Sequence, residues 1–119
     1  MKRRKPILLF ICLCLFTLGQ AQVSKTVNNT AGALAGLFTP AEKKTITNLK
    51  VTGTLNKSDF FYMRDSLSVI QILDLSEARI TSPLDTVPDQ AFFKKSTLRK
   101  ISFPTNIVRI GSTAFYNCT

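Results

Sequence analysis

The sequence predicts an α/β solenoid, with short parallel strands stacked one on the next behind a helical N-terminal cap. Two observations carry this. An apolar-x-x-apolar-x-apolar signature occurs three times: Ile46, Leu49 and Val51 in "ITNLKV", Ile70, Leu73 and Leu75 in "IQILDL", and Leu98, Ile101 and Phe103 in "LRKISF". An Ala-Phe pair occurs twice, each time four residues after a β-branched residue. Val87 leads the copy "VPDQAFFKKST" and Ile110 the copy "IGSTAFYNCT", 23 residues on. A unit that short cannot bury its own apolar face, whereas stacking buries a continuous core, so equivalent positions recur.

The chain opens with a segment to be set apart from the fold. "MKRRK" is a cationic cluster, "PILLFICLCLFTLG" an apolar run, and Gly19 and Ala21 occupy the small-residue positions of a peptidase site. This is the pattern of a secretory signal, with cleavage expected after Ala21. The uncharged run from Pro6 to Gly19 is 14 residues, short of the about 20 that a spanning helix needs. A lipidated cysteine is disfavoured because Ile11 and Leu13, not small residues, precede Cys12 and Cys14. Four of the 16 cations lie in this segment, so the remainder carries twelve Lys and Arg against seven acids. The high isoelectric point is thus weak evidence for nucleic-acid binding, and no nucleic-acid partner is expected. Of the three cysteines only Cys118 lies beyond the signal, which leaves no internal disulfide.

Residues 22–66 read as an N-terminal cap segment containing the first strand signature. Leu34, Leu37 and Phe38 have helical spacing, weakened by Gly32 and Gly36. "TPAE" supplies Thr39 as an N-cap, Pro40 in the first turn and Glu42 as capping-box partner, which predicts a short helix from Pro40 to about Ile46. In "KSDFFYMRDSL", Ser58 or Asp59 caps a helix that carries Phe60, Phe61, Met63 and Leu67. These helices are expected to cover the open end of the stack.

Residues 67–119 read as the repeats, the last one incomplete. The signatures recur after 24 and then 28 residues, within the period range of leucine-rich repeats. Leu73 and Leu75 point inward at period two. Pro104 and Gly111 mark the bends into the return segment, Ala91 or Ala114 allows it close to the core, and Phe92 or Phe115 fills the interior.

These residues resemble the BspA-like leucine-rich-repeat proteins, bacterial surface and secreted proteins with the pattern L-x-x-I-x-x-P-x-x-I-x-x-I-G-x-x-A-F-x-x-C. Leu98, Ile101, Pro104, Ile107, Ile110, Gly111, Ala114, Phe115 and Cys118 fit it over a full unit. "LDLSEARI" fits less well and resembles an atypical first unit. The resemblance implies a buried thiol at Cys118 and an adhesive protein displayed at or beyond the cell surface. The chain reaches "NCT" where a new signature is expected, which reads as a fragment. With its last strand unpaired it is expected to self-associate.

Catalysis has little support: the sequence has no histidine, no CxxC and no Gly-rich phosphate loop. No enzyme activity, cofactor or metal is expected. The candidate ligand face is the exposed side of the strands, with Asn48, Lys50 and Thr52, then Ile72, Asp74 and Ser76, then Lys100, Ser102 and Pro104. Lys50 and Asp74 occupy equivalent positions and are candidates to pair. Lys94, Lys95, Arg99, Lys100 and Arg109 form a basic run that suits an acidic surface. Asn28 and Asn117 begin Asn-x-Thr sequons. Asp65-Ser66 and Asp85-Thr86 resemble a bacterial O-glycosylation site, the second read as an accessible loop between Pro83 and Pro88. The sequence therefore predicts a secreted or surface interaction module for an extracellular protein or glycan, with no membrane span once the signal is removed. The alternative is a structural beginning of a longer solenoid, with its ligand site elsewhere.

Overall fold

The computed structural model describes residues 21–118. The signal-peptide reading falls almost wholly outside the described residues. The elements in chain order are β1 (Ser24–Asn29), a 3-10 turn (Leu34–Leu37), α1 (Pro40–Thr45), β2 (Asn48–Asn56), α2 (Lys57–Ser66), β3 (Ile72–Asp74), β4 (Ala78–Ser82), β5 (Thr86–Val87), β6 (Lys100–Ser102) and β7 (Arg109–Ile110).

The three strand signatures become β2, β3 and β6, neighbours in one parallel sheet of order β1-β2-β3-β6. Their registers, Leu49 with Leu73 and Leu73 with Ile101, align the signatures residue for residue. Parallel neighbours cannot be joined by a tight hairpin, so each strand is followed by a return segment. One backbone motif docks unit on unit: the Val23 carbonyl accepts from the N–H groups of Thr47 and Asn48, that of Thr47 from Gln71 and Ile72, and that of Gln71 from Arg99 and Lys100.

Strand β1 lacks the signature and went unforeseen. Val27 and Asn29 turn inward while Ser24, Thr26 and Asn28 stay exposed, the alternation of a half-buried strand. It pairs with β2 from Ser24–Asn48 to Asn29–Gly53. Gly53 has φ +90°, and a Cβ there would lie 2.2 Å from the Asn29 carbonyl oxygen.

Strand β2 is long enough to pair twice, with β3 through Lys50–Asp74 and with β4 from Gly53–Ala78. Between these points the partner carries one extra residue. The turn at Leu75–Glu77 absorbs it, held by the Asp74 carboxylate, which accepts from the Ser76 N–H and hydroxyl.

The Ala-Phe echo forms a second side of the stack. Val87 and Ile110 are register partners in a two-stranded parallel sheet, β5-β7. Beyond it the two turns are hydrogen-bonded in step: Gln90 N–H to Ser112, Phe92 to Ala114 and Lys94 to Tyr116. Each turn is bracketed by residues with positive φ, Gln90 and Lys94 in one, Thr113 and Asn117 in the other. Ala91 and Ala114 are buried as expected. Gly111 marks the closest approach, since a Cβ there would lie 2.4 Å from the Asp89 nitrogen.

Helix α2 stands where the unit of β2 would otherwise have its Ala-Phe turn. Its Phe60 ring meets Phe92 edge-on at 5.8 Å, and Phe92 stacks on Phe115 at 5.6 Å. An aromatic column thus runs from the helix through both turns. Phe92 is fully buried. Phe115 is not, contrary to the sequence expectation: it is half-buried, touching Phe92 on one side and Phe103 edge-on, with no further turn over it among the described residues. Ile110, 52% exposed, lies at the same end. Cys118 is half-buried rather than buried and its thiol donates to the Phe92 carbonyl. Pro104 is buried, so it leaves the expected exposed face.

The capping box on α1 is present, with the Glu42 N–H donating to the Thr39 hydroxyl and the Thr39 N–H to the Glu42 carboxylate. On α2 the cap is Asn56, not Ser58 or Asp59. Asp59 is the reciprocal partner at the third helical position, and it is only 1% exposed.

Candidate functional site

The stacked strands place the expected face in registered rows. Ser24, Asn48, Ile72 and Lys100 form one row, and Thr26, Lys50, Asp74 and Ser102 the next. Asn28 and Thr52 begin a third, with the Thr52 hydroxyl 3.2 Å from Asn28 Oδ1. Ser76 sits in the turn after β3, exposed, its hydroxyl 2.6 Å from Asp74. The structure therefore brings Lys50, Thr52, Asp74, Ser76, Lys100 and Ser102 to one side of one sheet. It adds a rung the sequence reading missed, Ser24, Thr26 and Asn28. The signal for that rung was the alternation around Val27.

Lys50 and Asp74 are neighbours in register, yet they do not form the expected pair. Lys50 Nζ bonds Glu77 at 2.8 Å, and that hydrogen bond and charge hold the ammonium pKa above its ordinary value. The Asp74 carboxyl is held below the usual range by the Ser76 hydroxyl and then by the Ser76 N–H. Both Ser76 donors bond one oxygen, Asp74 Oδ1, while the Lys50 ammonium lies against Glu77 on the turn. Glu77 was missed because it lies outside the strand signature. Ser24, Asn48 and Ile72 of one row and Thr26, Lys50 and Asp74 of the next line a shallow cleft of about 140 Å³ that also includes Leu49.

The basic run does not form one patch. Lys95 is only 7% exposed, and its ammonium donates to the carbonyl of Leu67, the C-cap that follows α2. Burial holds its pKa below the ordinary lysine value. A cation at a helix C-terminus meets the negative end of the helix dipole, so this lysine closes the helix instead of facing a ligand. Lys94 is exposed at the turn, with Nζ 5.3 Å from the Phe93 ring centre. Arg99 and Lys100 stand at the start of β6, and Arg109 stands on β7 in the other sheet.

The two bacterial-type glycosylation triplets are partly engaged. Thr86 lies in β5 with its hydroxyl donating to the Leu84 carbonyl, and is half-buried. Asp85 has φ 49° and accepts from Arg79 and Asn106. Ser66 ends α2 and is half-buried.

Two further arrangements position these elements. The buried Asp59 carboxylate accepts from Asn29 Nδ2, from the N–H groups of Gly32 and Asn56, and at its other oxygen from Leu34 N–H. One side chain thus ties β1, the 3-10 turn and α2 together. Arg64 chelates Asp65 at 2.7 and 2.9 Å, lies 4.3 Å from the Phe61 ring centre and donates to the Gln90 carbonyl of the following unit. Among the described residues no group of three or more His, Cys, Asp and Glu side chains could hold a metal ion.

No curated protein matches the chain. A family model does match, over residues 57–119: the BspA type Leucine rich repeat region (6 copies). Its span takes in α2, β3, β6 and both Ala-Phe turns. The repeating docking carbonyls, the aligned signatures and this match agree, and the chain belongs to the BspA-type leucine-rich-repeat family.

Proposed function

We propose that this chain is a non-catalytic interaction module, displayed on or released from the cell surface, that binds an extracellular protein or glycan on its strand face. The observation that supports this best is the registered parallel face itself, in which four strands present polar side chains at the sheet spacing. Repeat stacks bind through such extended surfaces. The face is rich in hydroxyl and amide groups, and two of its charged members, Lys50 with Glu77 and Asp74 with Ser76, are held by hydrogen bonds. Such groups read a partner by donor and acceptor geometry, and little side-chain entropy remains to be lost. The 3-10 turn and α1 flank β1 and serve as the N-terminal cap: Lys25 of β1 bonds the Leu37 carbonyl and Glu42. Among the described residues no helix is long and apolar enough to cross a membrane.

The test is binding of the whole chain to immobilised extracellular-matrix proteins and to a panel of defined glycans. A Thr26→Arg and Ser102→Arg double variant places bulk on one row at two of its rungs. Retained binding by a folded double variant overturns the strand-face reading, and selective loss supports it.

A further inference from the structure

We propose that a groove on the outer side of α2 is a second binding site, which takes a neutral sugar residue. It is separate from the strand face and does not depend on that reading.

Helix α2 buries Asp59, Phe60 and Met63. Its opposite side carries Ser58, Phe61, Tyr62, Asp65 and Ser66, whose spacing of three and four residues sets them on one stripe. The outward face of such a helix is ordinarily polar. Here it presents two half-buried aromatic rings among hydroxyls and a carboxylate. Across from the stripe stand Gly32 and Ala35, both exposed, one before the 3-10 turn and one within it. The two walls flank a groove of about 380 Å³, a size that suits a small ligand.

The protein uses only part of this aromatic surface. Phe38 packs on Tyr62 at 5.8 Å but does not line the groove, so the groove meets the part of the ring that Phe38 leaves free. An aromatic wall with a few polar groups around it matches a sugar, whose C–H faces pack on rings while its hydroxyls bond at the perimeter.

The polar groups set the hydrogen bonding. Among the described residues the hydroxyls of Tyr62 and Ser66 have no partner. Burial, and then the charge of Glu42, hold the Tyr62 pKa above its ordinary value, which keeps the phenol proton for donation. The Ser58 hydroxyl donates to Asn56 and can still accept. Each Asp65 oxygen takes one N–H from Arg64 and has room for a second donor. Donors and acceptors therefore stand side by side, and a sugar hydroxyl answers both.

Charge excludes the other small ligands. No lysine or arginine lines the groove, so an anion finds two carboxylates and no cation. A cation finds both carboxylates already met, Asp59 by its N–H donors and Asp65 by Arg64. It would also face Arg64 and Lys57, which lie 4.3 and 5.5 Å from the Phe61 ring centre.

The probes are the neutral tetrasaccharides of glucose, mannose and galactose, titrated separately into the whole chain. The protein has no tryptophan and two tyrosines, so in a Tyr116→Phe background the emission of Tyr62 alone reports on the groove. Binding of at least one sugar is expected, with a change in that emission. Tyr62→Ala, followed by calorimetry, should weaken binding about tenfold. Because this variant also removes the Phe38 contact, a second one fills the groove from the opposite wall. Ala35→Gln, at an exposed position, should weaken binding as much while leaving the urea midpoint unchanged. The Thr26→Arg and Ser102→Arg double variant should bind the sugar as before; loss there would place the sugar on the strand face and overturn the groove. No binding of any of these sugars, undiminished binding in either groove variant, or equal binding of the galacturonic acid tetrasaccharide or of choline also overturns the proposal.

Discussion

Phe92 and Phe115 occupy the same place in successive units, but not the same environment. Phe92 lies between Phe60 and Phe115, whereas among the described residues Phe115 has a neighbouring turn on one side only. Truncating Phe92 to alanine should cost ~3–5 kcal/mol, the usual toll for a buried Phe. Phe115→Ala should cost less, because that ring is only half-buried. Urea denaturation of the two variants checks the order; equal losses would mean that Phe115 is as enclosed as Phe92. Backbone strain gives a second prediction at this scale. Lys94 and Asn117 are equivalent, and both have positive φ, 60° and 57°. Asparagine tolerates that region better than lysine. Lys94→Asn should therefore stabilise the protein, by up to about 1 kcal/mol, and Asn117→Val should destabilise it.

At the scale of elements, the repeats were legible and the surroundings less so. Aligned apolar positions predicted β2, β3 and β6 because period-two burial leaves the same mark in every strand. The Ala-Phe echo predicted two equivalent turns, but not that Val87 and Ile110 would pair as a second sheet. Two-residue strands carry no alternation to read. Strand β1 was missed because one buried apolar residue, Val27, is too few to mark a strand, and because the inward Asn29 looks polar. Its burial makes sense only once Asp59, 30 residues on, lies against it. The candidate face was legible by alternation, except at Pro104, which the bend turns inward. Lys95 was misread because a sequence shows a run of charge, not which member caps a helix. Asp59 leads to an element-level prediction. Asp59→Ala removes the acceptor of the Gly32, Leu34 and Asn56 N–H groups and one of the two acceptors of the Asn29 amide, which keeps the Thr54 carbonyl. A donor left unpaired and buried, as at Leu34, costs ~1–3 kcal/mol. Hydrogen exchange should speed up together in β1, the 3-10 turn and the start of α2. Loss confined to α2 would show that the carboxylate is only a helix cap.

For the whole molecule, the acids set the pH response. Glu42, Asp65 and Asp74 all have folded pKa values lowered from 4.5, 3.8 and 3.8, chiefly through the Lys25, Arg64 and Ser76 hydrogen bonds respectively. A lowered folded pKa means that the unfolded chain takes up protons first, so stability is full above these ordinary values and falls as pH drops through the folded ones. The urea midpoint should hold steady down to about pH 5 and then decline. The triple variant Glu42→Gln, Asp65→Asn and Asp74→Asn should start lower at neutral pH and decline less. An unchanged slope in the variant would place the acid sensitivity elsewhere. Lys95 acts in the same sense at the alkaline end: its folded pKa is lowered from 10.5 by burial, so stability rises with pH between the folded value and 10.5.

The carbonyls of Val23, Thr47 and Gln71 each receive the next unit in the same way, although the intervening segments carry a 3-10 turn and a short helix, a longer helix, and an Ala-Phe turn. The junction is therefore indifferent to what lies between one joint and the next, much as a hinge pin is indifferent to the door. A duplication or deletion that begins and ends at these joints hands the chain a ready-made interface, while one that cuts mid-unit breaks two. Length and ornament in such a lineage can then vary by whole units, with the spacing between joints held by the backbone and the outer loops left free to change.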